Sequence, residues 1–332
     1  MYSLIGDIGG TKTILAVFST ERGPHDSLVE KTYESATYDS LESIISDFLS
    51  LYKYAVDQAC FGVAGPVIEG SARITNLSWT IESRKIKDTF KFSSVVLIND
   101  MVALANSIPV LEPGDIFTMR TGKAMKGTCI GILAPGTGLG ECFLTYQNGS
   151  YIANPSEGSH ASFAPVNENQ INLLRYAHSQ GHEHVSFERV CSGGLGVPLL
   201  YGYLKSTGKY TEPGWFAEKL ARAADLTPVI INAAMDKDHP CEIAAAVLDL
   251  FVEILGAEAG NLALKVLATG GIYLGGGIPP RIVQKLSEPM FLDSLNEKGR
   301  FQELLSNIPV HVILNPKAGL LGAAFVGLKP PA

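Results

Sequence analysis

The sequence predicts an α/β protein built from two lobes, and three observations support this prediction. The chain has 332 residues, which exceeds the size at which a single hydrophobic core usually stops growing. Two segments, at residues 2–18 and 128–146, each contain two apolar runs separated by a glycine-rich turn. Elsewhere, short apolar runs typical of strands alternate with longer patterns of helical period. We therefore expect two mixed α/β domains, each of which begins with two apolar strands joined by a glycine-rich turn.

The composition argues against several other classes of protein. The chain has 33 acidic and 26 basic residues, and no block of Lys and Arg alternates with aromatic residues, so we expect no nucleic acid partner. The five cysteines are widely spaced and never form C-x-x-C, which argues against a disulfide framework or a zinc ribbon. No window holds about 18 uncharged apolar residues, and the first residues do not resemble an export signal. These features predict a cytoplasmic protein with reduced thiols and no membrane partner.

The first lobe is predicted to open with a β-hairpin. The apolar runs Tyr2–Ile5 and Ile14–Phe18 flank the segment GDIGGTKT at residues 6–13. A helical pattern covers residues 40–54, and strand patterns cover residues 58–63 and 94–98. The second of these strands ends in Asn99 and Asp100, which places a carboxylate at the edge of the predicted sheet. Asn-Asp also commonly caps a following helix, and residues 101–106 have a helical pattern, so this simpler interpretation stays open.

The second lobe is predicted to repeat the hairpin. Apolar runs at residues 128–134 and 141–146 flank PGTGLG at residues 135–140. Further helices are predicted near residues 170–179, 216–224, 244–264 and 319–326, and a strand at residues 271–274. In the long helix near residues 244–264, Asp249, Glu253 and Glu258 recur near helical spacing. This pattern predicts an amphipathic helix with one polar stripe rather than a membrane span.

Glycine-rich turns of this kind can bind phosphate. Without Cβ atoms, backbone N–H groups approach an anion closely, and a neighbouring Thr or Lys adds another donor. For either turn alone, the simpler interpretation is that the glycines only close a hairpin. Two such turns and a third glycine cluster at residues 275–277 favour a phosphate site. The chain has no Walker A motif and no Rossmann fingerprint, so any nucleotide site is of another type.

Four segments resemble the phosphate-1, phosphate-2, adenosine and second connecting segments of the sugar kinase, Hsp70 and actin superfamily. They are DIGGT at 7–11, PGTGLG at 135–140, LGGGIPPR at 274–281 and GLLGA at 319–323. Within that superfamily, IND at 98–100, EGSH at 157–160 and FERV at 187–190 resemble the bacterial ATP-dependent glucokinases. The resemblance implies two ribonuclease-H-like lobes with a cleft between them. It implies a small lobe of residues 1–109, completed by 318–332, and a large lobe of residues 110–317.

The resemblance also implies an activity, the ATP-dependent phosphorylation of glucose to glucose 6-phosphate with release of ADP, the first step of glycolysis. It assigns Asp100 as the general base, and it implies these glucose-binding residues: Asn99, Asp100, Glu157, His160 and Glu188. The ATP-binding residues that it implies are Gly6, Asp7, Ile8, Gly9, Gly10, Thr11, Gly136, Thr137, Gly138, Gly276 and Gly277. Mg²⁺ would arrive with ATP, with Asp7 as the nearest carboxylate, and no metal bound by the protein alone is expected. The resemblance further suggests a homodimer.

Some features allow other interpretations or depart from the family. A histidine such as His160, taken alone, is more often a buried structural residue than a ligand. His178, His182 and His184 are close in sequence, with Glu183 among them, and could suggest zinc, but the break at residues 179–181 and the absence of H-E-x-x-H favour a polar loop. Lys12 stands where these glucokinases often have Asn, and SGGL at 192–195 where they often have SGPG.

Two other functions stay open. A sugar-responsive transcriptional regulator of the related repressor and sugar kinase branch is disfavoured, because no helix-turn-helix fits upstream of Gly6 and residues 161–179 lack that branch's cysteine cluster. An ATPase of the same superfamily without a sugar site is the second alternative.

Overall fold

The computed structural model describes residues 1–74 and 77–329, which divide into two units. Unit 1 consists of Met1–Pro113, Tyr151–Pro155 and the chain from Asn315 onward. Unit 2 consists of Gly114–Ser150 and Ser156–Leu314. None of the helices in the described ranges combines the length and apolar character that crossing a membrane requires.

The strands are short and lie mostly in the first half of the chain. They are β1 (Tyr2–Ile8), β2 (Lys12–Ser19), β3 (Ser27–Glu34), β4 (Val56–Val63), β5 (Val67–Ile68), β6 (Ser71–Arg73), β7 (Thr80–Glu82), β8 (Ser94–Asn99), β9 (Ile116–Arg120), β10 (Ile130–Pro135), β11 (Leu139–Gln147), β12 (Ser150–Ser156), β13 (Gly271–Leu274) and β14 (Val310–Ile313).

The α-helices dominate the second half of the chain. They are α1 (Leu41–Leu51), α2 (Ser83–Phe90), α3 (Asp100–Ser107), α4 (Glu168–Ser179), α5 (Phe187–Val190), α6 (Gly196–Ser206), α7 (Gly214–Arg222), α8 (Leu226–Met235), α9 (Glu242–Val266), α10 (Val283–Leu286), α11 (Pro289–Asn296), α12 (Gln302–Ser306) and α13 (Ala318–Gly327).

Unit 1 is built on a sheet of order β3-β2-β1-β4-β8. β1 pairs with β2 antiparallel and with β4 parallel, and β4 pairs with β8 parallel. One side of the sheet packs on α1 and α2 through buried side chains such as Phe48, Phe61 and Ile86. A second cluster joins β1, β2 and β4 to α3 and α13 through residues such as Ile5, Ala103 and Leu320.

Unit 2 contains the strand order β11-β10-β13-β14-β9. β10 pairs with β11 antiparallel and with β13 parallel, and β13 pairs with β14 parallel. The run β11-β10-β13-β14 therefore repeats the pairing pattern of β2-β1-β4-β8 in unit 1. The long helix α9 packs on this sheet, and its side chains form much of the buried core of unit 2.

The structure confirms both predicted hairpins, and it extends β1 to Ile8 and β2 back to Lys12. The predicted helix near residues 244–264 is α9, but the expected single polar stripe is wrong in one respect. Glu253 is partly exposed, whereas Glu258 has no exposed surface. The five cysteines are free thiols, and all except Cys129 are buried.

Candidate active site

The first glycine turn closes the β1–β2 hairpin and is fixed by a serine from the segment after β3. Gly9 N donates a hydrogen bond to Lys12 O at 2.9 Å across the turn. Ser35 Oγ donates to Gly9 O at 2.8 Å, and Ser35 N donates to Thr11 O at 3.0 Å. Thr11 and Lys12 are exposed. The turn thus combines a fixed backbone with exposed polar side chains, as a phosphate-binding hairpin requires.

The residues that lead into this turn are more buried than the glycines of the turn itself. Gly6 is buried, and a Cβ there would lie 2.7 Å from Phe61 Cδ1 and 2.8 Å from Leu15 Cδ2. Ile8 is also buried, whereas Gly9 and Gly10 are partly exposed. Gly6 and Ile8 therefore serve the packing of the sheet, and the accessible part of the turn begins at Gly9.

Asp7 and Asp100 lie at the same edge of the unit 1 sheet. Asp7 pairs with Gly62 on β4, and the next β4 residue, Val63, pairs with Asn99 on β8. The carboxyl ends of these parallel strands therefore align, as is usual for ligand sites in α/β sheets. Burial, and to a lesser degree the nearby charge of Asp100, raises the pKa of Asp7 to about 6.

Asn99 orients Asp100 and caps the helix that follows. Asn99 Oδ1 accepts from Met101 N at 2.9 Å and from Val102 N at 3.3 Å, which satisfies two donors at the start of α3. Asn99 Nδ2 donates to Asp100 Oδ1 at 2.9 Å and to Gly65 O at 3.1 Å. Asp100 Oδ1 also accepts from Met101 N at 2.9 Å. The helix cap anticipated as the simpler interpretation is present, and it holds the Asp100 carboxylate at the sheet edge.

In unit 2, three glycine segments meet around the second hairpin turn. Gly193 N donates to Gly136 O at 2.7 Å, and Gly194 N donates to Thr137 O at 2.9 Å. From the other side, Ile278 N donates to Pro135 O at 3.2 Å.

Two of these glycines leave no room for a side chain. A Cβ on Gly193 would lie 2.6 Å from Gly136 O, and a Cβ on Gly276 would lie 2.6 Å from Pro135 O. Gly276 also has a φ of +80°, in the left-handed region that favours glycine. The predicted nucleotide residues Gly136, Thr137, Gly138 and Gly276 thus belong to one tightly packed cluster of turns, and Gly277 lies at its border, where a Cβ would have no neighbour within 4 Å.

Glu188 connects this cluster to the residues expected to bind sugar. A Cβ on Gly138 would lie 2.5 Å from Glu188 Oε1, so the carboxylate rests on the turn itself. Glu188 Oε2 lies 3.1 Å from His160 Nε2, and Glu157 Oε2 lies 3.8 Å from the same nitrogen. His184 Nε2 lies 2.9 Å from His160 O. The structure therefore brings Glu157, His160 and Glu188 together as a polar, partly exposed group.

His160 is not a buried histidine, because 59% of its side chain is exposed. His178, in the last turn of α4, has its Nδ1 2.9 Å from the carbonyl oxygen of His182 in the loop that follows. Among residues 1–74 and 77–329, no group of three or more His, Cys, Asp or Glu side chains is arranged to hold a metal ion.

Two residues that no sequence motif marks as functional, Ser35 and Gly65, support the predicted residues. Ser35 is separated from the first turn by two strands, β2 and β3, and no motif marks it. Gly65 follows β4 and has a φ of +138°, and a Cβ there would lie 2.9 Å from Arg73 O. Only the three-dimensional pairing of strands shows that these residues belong to the site.

Comparison with known proteins gives a consistent result. The glucokinase family model matches residues 4–329. The glucokinase of Nostoc punctiforme is 38% identical over 98% of both chains. The crystal structure of a glucokinase from an Antarctic psychrotroph has a TM-score of 0.83 and 31% identity, and the match covers 98% of each chain. A glucokinase from Balamuthia mandrillaris, solved with glucose, has a TM-score of 0.79 at 21% identity and supports the fold alone.

The match covers both units and every segment discussed above, and the fold is the two-lobe sugar kinase fold of these relatives. The chain belongs to the glucokinase family.

Proposed function

We propose that this chain is an ATP-dependent glucose phosphotransferase that uses Asp100 as its general base. The family match over residues 4–329 supports the assigned reaction, because glucokinases transfer a phosphoryl group from ATP to glucose. The position of Asp100 supports the residue assignment. Its carboxylate lies at the carboxyl edge of parallel strands, and two donors 2.9 Å away orient it.

The reaction needs one proton acceptor and a well-positioned hydroxyl. Asp100 accepts the proton of the glucose 6-hydroxyl while that oxygen attacks the γ-phosphorus of ATP. The bond between the γ-phosphorus and the bridging oxygen breaks, and ADP leaves with the electron pair. Such a transfer depends mainly on positioning and electrostatic stabilisation, so one fixed carboxylate and a set of ligands suffice.

The proposed glucose ligands are Asn99 and Asp100 of unit 1 and Glu157, His160 and Glu188 of unit 2. Carboxylates accept hydrogen bonds from sugar hydroxyls, and an imidazole can donate or accept, so the set suits a polyhydroxylated ring. In unit 2 these groups already contact one another, which fixes their relative positions before sugar binds. The Asn99 side chain serves both the α3 cap and Asp100, so its effect on the reaction includes positioning of the base.

ATP is proposed to bind through the two glycine turns and the cluster at Gly276 and Gly277. Oxygen donors are what Mg²⁺ prefers, and the neighbouring carboxylates of Asp7 and Asp100 would be relieved of mutual repulsion by a divalent cation, so the residues fit this ion. Asp7 is the residue proposed to face it. When bound with ATP, Mg²⁺ supplies charge neutralisation for the phosphate oxygens. We further propose a cytoplasmic enzyme and a homodimer, the second testable by light scattering.

The test is a coupled assay of ADP release with glucose, with mannose, with fructose and without sugar. We expect release that depends on a hexose, with glucose giving the highest kcat/KM. Release that proceeds equally without sugar would support an ATPase instead. No release under any condition would favour a regulatory, non-catalytic role.

A further inference from the structure

A pair of buried glutamates lies directly beneath the loop that carries Glu157 and His160. Glu141, near the start of β11, has 1% of its surface exposed, and Glu258, on α9, has none. Neither is among the residues assigned above to glucose or ATP. Two acidic side chains buried together are unfavourable unless a proton or a cation compensates for their charges, so their presence calls for an explanation.

Glu141 is in direct contact with the sugar loop through Gly158. The Oε2 atom of Glu141 occupies the space that a Cβ on Gly158 would need, and Glu141 Cδ lies 3.4 Å from that position. Gly158 N donates a hydrogen bond to Ser156 Oγ at 3.0 Å. The backbone between the two proposed sugar ligands is therefore held by this hydrogen bond and by its contact with Glu141. Because Gly158 lies between Glu157 and His160, displacement of Glu141 would move both ligands.

The two carboxyl groups face each other, and a single proton would join them. Glu141 Oε1 has no hydrogen-bond donor within reach in the described part of the chain, as expected where its neighbour is another carboxylate. Glu258, in contrast, has two hydrogen-bond donors: it accepts hydrogen bonds from Asn261 Nδ2 at 2.8 Å and from Lys265 Nζ at 3.3 Å. A proton on Glu141 would give that side chain a hydroxyl donor toward Glu258.

We propose that Glu141 is a positioning residue for glucose binding, which supports the loop at Gly158 through a carboxyl-to-carboxylate hydrogen bond with Glu258. This inference rests on the proposed glucose kinase function. Burial, and secondly the charge of Glu258, raises the pKa of Glu141 to about 8, which agrees with a protonated side chain at neutral pH. The pair thereby shares one proton across the pH range in which the enzyme would work.

Several other charged or titratable side chains surround the Glu141–Glu258 pair. Lys265 approaches Glu258 from the next turns of α9, and the positive charge of Lys298 acts on Glu258 as well. Cys191, after α5, is buried close to the pair, and burial followed by the charges of Glu258 and Glu141 raises the pKa of its thiol. On the loop side, the titratable side chains are those of Glu157 and His160 themselves.

Loss of the shared proton predicts a specific kinetic effect. If only the protonated pair supports the loop, the apparent KM for glucose scales inversely with the protonated fraction, so it rises about tenfold one pH unit above the pKa. The kcat at saturating glucose changes little, because Asp100 belongs to the other unit and is oriented there by Asn99 Nδ2 and Met101 N. Substitution Glu141→Gln keeps the shape and supplies an amide donor to Glu258 but cannot titrate.

The experiment measures KM and kcat for glucose between pH 7 and pH 9.5 in wild type, Glu141→Gln and Glu253→Gln. Glu253 lies on the same helix as Glu258, is partly exposed and bonds Asn167, so its variant is a matched control. We expect the KM to rise with pH in wild type and in the control but to stay flat in Glu141→Gln. If Glu141→Gln does not fold, Glu258→Gln removes the other carboxyl and is expected to abolish the same pH dependence.

A second measurement tests the contact itself. Gly158→Ala places a methyl group where the Glu141 carboxyl lies, so we expect a higher KM for glucose. Combined with Glu141→Ala, which clears that space, the effect of Gly158→Ala is expected to shrink, as coupled neighbours do in a double-mutant cycle.

The outcomes separate this inference from the proposed function. Glucose-dependent ADP release in wild type, with the same KM–pH curve in Glu141→Gln, overturns the role of Glu141 alone. Equal effects of Gly158→Ala with and without Glu141→Ala also overturn it. Wild type without glucose-dependent turnover at any pH overturns the proposed function and this inference with it.

Discussion

Asp100 is the residue on which the proposed chemistry depends most directly. Asp100→Asn keeps the size of the side chain and its hydrogen-bonding capacity but removes the basic carboxylate. We expect kcat to fall by roughly 10²–10⁴-fold, typical of a lost general base, with glucose binding weakened much less. The coupled ADP assay measures the first quantity, and calorimetry with glucose measures the second.

The matched control for this change is Asp88→Asn, at an exposed position on α2 in the same unit. Its kcat should equal that of wild type. An Asp100→Asn enzyme that retained most of its kcat would show that another group accepts the proton.

Gly138 tests the link between the second glycine turn and the sugar ligands. A Cβ at this position meets Glu188 Oε1 at 2.5 Å, and a flexible side chain yields more readily than the backbone, so Gly138→Ala should move Glu188 away from His160. Loss of one charged hydrogen bond to the sugar, worth about 1.5 kcal/mol, predicts about a tenfold rise in the KM for glucose. The melting temperature should stay close to that of wild type.

Gly114→Ala serves as the control for Gly138→Ala, because a Cβ on Gly114 has no neighbour within 4 Å. Identical glucose KM values for the two variants would mean that Glu188 does not bind sugar, or that the turn accommodates the methyl group without moving it.

Residue-level prediction from sequence succeeded where a local pattern marks the position. Asn99 and Asp100 end an apolar strand, and this placement at a sheet edge follows from the pattern alone. Ser35 and the buried Glu141–Glu258 pair could not be predicted, because each acts on a segment far away in sequence. An acid directly before the apolar run Cys142–Leu144 of β11 was the available signal for Glu141.

At the scale of elements, the packing of α13 on α3 depends on one glycine. A Cβ on Gly322 would overlap the carbonyl oxygen of Ala103 and lie 2.8 Å from Ser107 N, so the two helix backbones touch at this point. Gly322→Ala must push α13 and α3 apart, and α3 begins at Asp100. We expect a loss of about 1–3 kcal/mol in the free energy of unfolding, typical of overpacking, together with a lower kcat.

Urea denaturation and the ADP assay measure the two effects of Gly322→Ala. Gly214→Ala is the control, since it adds a methyl group at the start of another helix, α7, where nothing lies within 4 Å. If Gly322→Ala were as stable and active as Gly214→Ala, the close approach of α3 and α13 would have no energetic importance.

Elements with a strong periodic spacing of apolar residues were predictable from the sequence, and elements without such spacing were not. Both hairpins and α9 carry long apolar patterns, and their positions agree with the structure to within a few residues. The sheet of β5, β6 and β7 has strands of two or three residues, too short to show alternation. Helix α5, which carries Glu188, has four residues and was not predicted as a helix; only its sequence FERV was noted, for its resemblance to the family.

At the scale of the whole molecule, each unit contains the same strand arrangement and also an acid in its first hairpin strands whose pKa is raised. Asp7 in unit 1 and Glu141 in unit 2 both have raised pKa values, of about 6 and about 8. The sequence could predict the repeated hairpins, but it could not predict these two pKa values. Both depend on burial and on a second carboxyl group supplied by a different element.

These two acids predict how conformational stability changes with pH. A raised pKa means that the folded chain keeps a proton that the unfolded chain has already lost. Each group therefore adds stability below its unfolded pKa, and this is lost as the pH rises through its folded pKa. Asp7 acts between pH 3.8 and about 6, and Glu141 between pH 4.5 and about 8. Each group changes the free energy of unfolding by at most about 1.4 kcal/mol per pH unit within its window.

We therefore expect the urea midpoint of wild type to fall as the pH rises from 5 to 8. Glu141→Gln, which cannot ionise, should flatten the decline between pH 6 and pH 8, and Asp7→Asn should flatten it only below about pH 6. Comparison with wild type at each pH removes the contribution of all other titrating groups. A Glu141→Gln protein whose midpoint fell as steeply as that of wild type between pH 6 and pH 8 would show that Glu141 is already ionised in the folded chain at neutral pH.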